Sequence, residues 1–248
     1  LVLLALALLR LMSHTICLLL LILVHWSAAS SFALSSNAST SSPHHDQGLR
    51  IVYDALPPNM FASAHADGIK VSNWAKNGLD GLAESKRATC WLAKNRKPRL
   101  VIEHAVLALV AHAKRLFPEL VNDRVTSGYE WWVQRIGTTV EERPSFHYDK
   151  DEAKSTLNKK FVFPLLSSII YFGSIGAPTL VMNQTVTNGG TRVPPIAETM
   201  SLHYPERNKY VLFDASRAHG VLPGSALVRG LDGIQLSRDT LLVNFWAE

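Results

Sequence analysis

The feature that most constrains this chain is a change of texture near Thr126. Beyond it, "YEWWVQRIG", "FVFPLLSSIIYFG", "APTLVMNQ", "KYVLFDA", "HGVLPG" and "DTLLVNFW" are short runs rich in β-branched and aromatic residues. Gly, Pro and Asn separate them, and no helical pattern of comparable length intervenes. That half therefore predicts a sandwich or barrel of about eight strands. Ahead of it, from about Leu49 to Leu120, "GLAESKRATCWLAKN" and "RLVIEHAVLALVAHAKRLFPEL" space apolar residues three and four apart. This is the helical period, and the second run closes near Pro118. His104 and His112 both lie in that second run without a carboxylate pair nearby, and they read as satisfied structural histidines.

A hydrophobic content of 47% over 248 residues is ample for a core. The net charge of +5 is dispersed over short clusters such as Lys94, Arg96, Lys97 and Arg99. With no long basic run and no nucleic-acid module, those clusters read as solvated faces, which excludes nucleic acid as a partner. The first 26 residues, "LVLLALALLRLMSHTICLLLLILVHW", are almost wholly apolar and lead into "SAASS", whose small residues suit signal-peptidase cleavage near Ala29. Their length also approaches what spans a bilayer, so a cleaved signal and a retained anchor both stay open. Either sends the domain into the secretory route, and the membrane is a partner only through this segment. Asn37 and Asn183 begin glycosylation acceptor patterns if the domain is luminal. Of two cysteines, Cys17 belongs to the leader and Cys90 to the body, which leaves the body without an internal disulfide. The organisation expected is a signal or anchor over 1–29, a Ser-rich linker over 30–50, a helical support region over 51–125 and the β domain over 126–248.

His-x-Asp occurs three times, at His44/Asp46, His65/Asp67 and His147/Asp149. The first lies in the Ser/Pro spacer, and the second precedes the helical runs with no strand leading into it. Only the third follows a strand-like run. In extended chain, residues i and i+2 share a face, so His147 and Asp149 can converge on one ion while Tyr148 points away. A third ligand is offered by His219 in "FDASRAHGVLPG", where Gly220 lets the backbone turn closely. Two histidines and one carboxylate with open positions form the pattern of non-haem Fe(II) oxygenases. Zinc sites with that ligand set often show a helical His-x-x-x-His, which this chain lacks.

These residues resemble the Fe(II)/2-oxoglutarate-dependent dioxygenases, over roughly Tyr129 to Trp246. The resemblance is carried by "FHYDKDE", "YFGSIGAPTLVMNQ", "YVLFDASRAHGVLPG" and "SRDTLLVNFW". It implies an α+β fold: a double-stranded β-helix (jelly-roll) core with the helical region packed outside it. It also implies His147, Asp149 and His219 as iron ligands, with Fe(II), 2-oxoglutarate and O2 as cofactor and cosubstrates. The family presents a basic residue on the last core strand, often as Arg-x-Ser or Arg-x-Thr, to hold the distal carboxylate of 2-oxoglutarate. Arg238-Asp239-Thr240 matches, so Arg238 and Thr240 are the cosubstrate-binding candidates. A guanidinium grips a carboxylate with two parallel hydrogen bonds, and the hydroxyl can add a third. The distance from His219 exceeds the family's usual spacing, which points instead to Arg229. "RDTLLVNFW" is a convincing strand, whereas Arg229 sits in loop-like "VRGLDG", and an inserted loop accounts for the difference.

Asp151 and Glu152 read as solvated or as orienting His147, while Tyr171 and Gln134 sit on strands able to face the pocket. Trp131, Trp132 and Trp246 read as core. The expected reaction hydroxylates an unidentified substrate, with decarboxylation of 2-oxoglutarate to succinate. By analogy, a protein side chain in the secretory route is a fitting target. Two other readings remain: a cupin-like metal-dependent oxygenase without 2-oxoglutarate, and a secreted non-catalytic binding module of the same fold.

Overall fold

Two antiparallel sheets facing each other organise the structure. It is a computed structural model that describes residues 48–77, 89–136, 145–158, 160–222 and 237–247. The larger sheet runs in the order β1 (Leu49–Val52), β8 (Tyr210–Phe213), β4 (Leu166–Tyr171), β10 (Arg238–Ala247), β3 (Thr126–Ile136) and β2 (Cys90–Ala93). The smaller is built on β5 (Thr179–Val186), which pairs with β6 (Arg192–Val193), β7 (Met200–His203) and β9 (Arg217–Val221). The segment at His147 joins it through a single bridge to His219 on β9. From β3 onward the chain alternates between the sheets: β3, the His147 segment, β4, β5 to β7, β8, β9, β10. This winding is a jelly-roll, the double-stranded β-helix, and with its helices the fold is α+β.

The central strands of the larger sheet are buried on both faces, and the two-residue period of the strand sorts their side chains into two cores. Ile170, Tyr210, Leu212, Leu241, Val243 and Phe245 pack outward against the helices. Ile169, Tyr171, Val211 and Phe213 point inward with Val181 of the smaller sheet. The outward core is completed by α1 (Pro58–Asn77) and α2 (Val101–Leu116). Ile102, Ala105, Val106, Leu109, Val110 and Ala113 of α2 are all buried, the i, i+3, i+4 stripe read in the sequence. Asp67 of α1 caps α2 by accepting the Ile102 N–H at 3.0 Å, and buried Glu103 accepts the N–H groups of Arg99 and Leu100. A third helix, α3 (Glu152–Asn158), starts where the Asp151 carboxylate accepts the Lys154 N–H.

Several expectations change. The region read as mostly helical also supplies β1 and β2, the two edges of the larger sheet. Cys90–Ala93 was expected inside a helix, yet Cys90 and Leu92 pair with Trp131 and Tyr129. Trp91 lies so close over Gly128 that a Cβ there would sit 2.4 Å from its ring. Pairing with a neighbour overrode the local helical period. His65 and Asp67 lie within α1 rather than ahead of it. His112 donates to the Ala55 carbonyl at 2.9 Å, as a structural histidine should, but His104 is exposed. Asn183 accepts the N–H groups of Glu198 and Thr199 from within β5. No helix among the described residues is long and apolar enough to cross a membrane. The apolar leader, residues 30–47 of the expected linker, Asn37, His44/Asp46 and Arg229 lie outside the described residues, and Leu49 and Arg50, expected in the linker, begin β1.

Candidate metal centre and anion cleft

The chain brings His147, Asp149 and His219 together between the sheets, with one ligand atom from each within 4.8 Å of the others. Asp149 Oδ1 lies 3.6 Å from His147 Nε2, and Oδ2 lies 3.6 Å from His219 Nε2. Each imidazole is tied at its other nitrogen. His147 Nδ1 donates to the Ser145 carbonyl at 2.7 Å and His219 Nδ1 to the Arg217 carbonyl at 2.9 Å. Placing the proton on Nδ1 leaves both Nε2 lone pairs turned toward the carboxylate, the tautomer a metal ligand needs. Ser167 on β4 donates to Asp149 Oδ2 at 2.7 Å and fixes the third donor from the opposite sheet.

Electrostatics fit the same purpose. Burial alone would raise the Asp149 carboxyl, but His219, His147 and the Ser167 hydroxyl outweigh it and hold the group at about 2. Burial lowers His219, more strongly than Asp149 raises it, so its imidazole is neutral at pH 7. Two imidazole nitrogens and one ionised carboxylate suit a divalent cation held on one face. Gly220 permits the close approach of the two histidine-bearing segments, since a Cβ there would meet Phe146 at 3.0 to 3.2 Å. Its role is therefore inside strand β9 rather than at a turn.

Arg238, the first residue of β10, lines the same cleft as His147 and His219, a space of about 410 Å³ including its open mouth. It is 4% exposed. Its Nε donates to the Ala177 carbonyl at 3.1 Å and an amino group donates to Thr179 Oγ1 at 2.6 Å, while the guanidinium lies 5.2 Å over the Tyr171 ring. Those partners are all neutral, and no carboxylate among the described residues pairs with it. Burial works against its charge, yet a guanidinium stays protonated. Here is a cation taken out of water without its counter-charge, and such a group favours an anionic ligand. Thr240 also lines the cleft, where its hydroxyl makes only a long 3.4 Å contact to the Gln134 carbonyl.

Other sequence candidates fall differently. Gln134 and Trp132 line the cleft, so Trp132 belongs to its wall rather than to the core, whereas Trp131 is fully buried. Trp246 is only partly buried and donates to Glu130 at 3.1 Å. Tyr171 stands beneath the cleft, its hydroxyl donating to the His203 carbonyl at 3.1 Å and lying 2.8 Å from Thr179 Oγ1, which can donate to it. Asp151 caps α3 and Glu152 pairs with Lys150, so neither orients His147. Ser167, Thr179 and Gly176 were missed. For Ser167 a signal existed: a serine in "LSSIIY", a strand buried on both faces, must find a partner for its hydroxyl.

No protein-family model and no curated protein matches the chain. Among solved structures it is similar to a Pseudomonas putida prolyl-4-hydroxylase, at 13% identity and a TM-score of 0.45, over 81% of this chain and 93% of that one. A Trichoplax adhaerens prolyl hydroxylase in complex with a hypoxia inducible factor peptide fragment gives 10%, 0.47, 82% and 84%. A Burkholderia pseudomallei oxidoreductase of the 2OG-Fe(II) oxygenase family gives 14%, 0.44, 82% and 85%. The likeness is to hydroxylases and an oxygenase.

Proposed function

We propose that this chain is an Fe(II)- and 2-oxoglutarate-dependent dioxygenase that hydroxylates its substrate. The observation that carries the reading is one cleft with a two-histidine, one-carboxylate donor set and a buried guanidinium that no carboxylate among the described residues pairs. His147, Asp149 and His219 would hold the metal, and Arg238 with Thr240 would hold the distal carboxylate of the cosubstrate. Bound Fe(II), with 2-oxoglutarate and O2, supplies the oxidising chemistry, with 2-oxoglutarate ending as succinate and CO2. The protein contributes position and dryness. Nδ1 donation aims both imidazoles, Ser167 fixes the carboxylate, and Trp132, Ile169 and Leu242 make one wall of the cleft apolar. A metal-dependent oxygenase without the cosubstrate would leave Arg238 without a purpose. The apolar leader favours a protein side chain in the secretory route as the substrate.

Anaerobic titration of the purified protein with Fe(II) and then 2-oxoglutarate tests this. A visible charge-transfer band is expected only with both present, and it should vanish in His219→Ala. Its absence from folded native protein would refute the reading. A band without succinate release under O2, across a panel of peptide substrates, would favour the non-catalytic binding module instead.

A further inference from the structure

Between the two site residues of the His147 segment stands Tyr148, facing away from the cleft. Its hydroxyl donates to Gln184 Oε1 at 3.0 Å. Gln184 lies on β5 and is 8% exposed, and its Nε2 donates to the carbonyls of Pro194 at 3.1 Å and Pro195 at 2.9 Å. The amide therefore has one workable orientation: two carbonyls can only accept, so the NH2 must face them and the oxygen must face Tyr148. Neither Tyr148 nor Gln184 lines the cleft.

The backbone around Tyr148 needs this anchor. His147 exchanges both of its backbone hydrogen bonds with His219, and Asp151 donates to Val162 at 2.8 Å. The intervening residues form no regular strand. In extended chain the middle residue points opposite to its two neighbours, so turning Tyr148 off Gln184 would turn His147 and Asp149 out of the cleft. We propose that the Tyr148–Gln184 pair is a positioning device that presets His147 and Asp149 for the metal from the far side of the segment. This rests on the metal-binding reading of the triad.

The test is Co(II) titration of the intact protein, followed by ligand-field absorption, with Tyr148→Phe, Gln184→Leu and the double variant. Each single change is expected to weaken Co(II) about fivefold, the factor that one hydrogen bond of ordinary strength is worth. The double variant should bind no worse than the weaker single one, because both act through one bond. A shifted ligand-field spectrum should accompany the loss, which a merely stabilising contact would not produce. Tyr148→Phe binding Co(II) with native affinity and a native spectrum overturns the proposal, as does full additivity. Should Gln184→Leu fail to fold, Tyr148→Phe alone decides. Native protein that binds no Co(II) would instead overturn the metal reading, a result distinct from failure of this pair.

Discussion

Arg238 shows what a single residue can reveal when its surroundings do not balance it. A buried cation whose partners are all neutral weakens the unliganded fold and favours an anionic ligand, so stability and binding should respond in opposite directions. Arg238→Met keeps the bulk and removes the charge. The unliganded melting temperature should stay level or rise, while 2-oxoglutarate affinity falls at least about 30-fold, about 2 kcal/mol, as for other buried charge pairs. Co(II) affinity should change little. Calorimetry with each ligand separates these, and equal losses for metal and cosubstrate would remove Arg238 from its role. Gly176, beside it, has φ +106°, and a Cβ there would come within 2.7 Å of Arg238 Cβ. Gly176→Ala should therefore reproduce part of the affinity loss without touching any charge. His147, Asp149 and His219 were legible in the sequence as candidates because residue type and spacing carry chemistry, whereas Arg238 and Thr240 were candidates through the resemblance and against its usual spacing. Thr179 and Ser167 were not, because a hydroxyl acquires its role only from the strand that folding places opposite it.

Among elements, β10 is held from outside by the residue between Arg238 and Thr240. Asp239 accepts from His65 of α1 at 3.2 Å, Arg135 of β3 at 3.0 Å and Ser237 at 2.7 Å. Burial alone would raise its carboxyl, yet these three donors hold it below the usual carboxylate range. A carboxyl lowered in the folded state contributes stability above its unfolded value, near 3.9, and that contribution disappears as pH falls through the lower folded value. Asp239→Asn should thus cost about 1–3 kcal/mol at neutral pH. The gap from the native protein should narrow steadily below about pH 4. Urea unfolding at pH 7 and pH 3 measures it, and a gap independent of pH would mean that the charge of Asp239 contributes nothing. In the sequence, His65/Asp67 offered no metal pair led into by a strand. Both are nevertheless used: Asp67 caps α2, and His65, stacked 4.8 Å from Phe172, ties α1 to β10. Such docking depends on where α1 lands, and no local pattern records that. The same holds for β1 and β2, whose four residues each are too few to show a period.

For the whole molecule, the succession of short apolar strands was the legible part: strands too apolar for a solvated face imply two layers of cover, and the structure supplies helices on one side and the second sheet on the other. The candidate centre sits where the layers meet. His219 belongs to the smaller sheet and the His147 segment bridges to it, whereas Asp149 is held by Ser167 of the larger sheet. An ion held there would fasten one sheet to the other, and would bind only when both are in place. Binding to the folded state alone stabilises it by about 2.7 kcal/mol when free metal is 100 times its dissociation constant. For a domain of this size that is about 5–10 °C in melting temperature. Native protein should show this rise with Co(II) and lose it on adding EDTA. His219→Ala, even if less stable at the outset for want of its ring against Phe213, should show none. A rise of the same size in that variant would place the metal elsewhere. No rise in the native protein, at Co(II) concentrations shown spectroscopically to saturate the site, would mean that the ion does not couple the sheets.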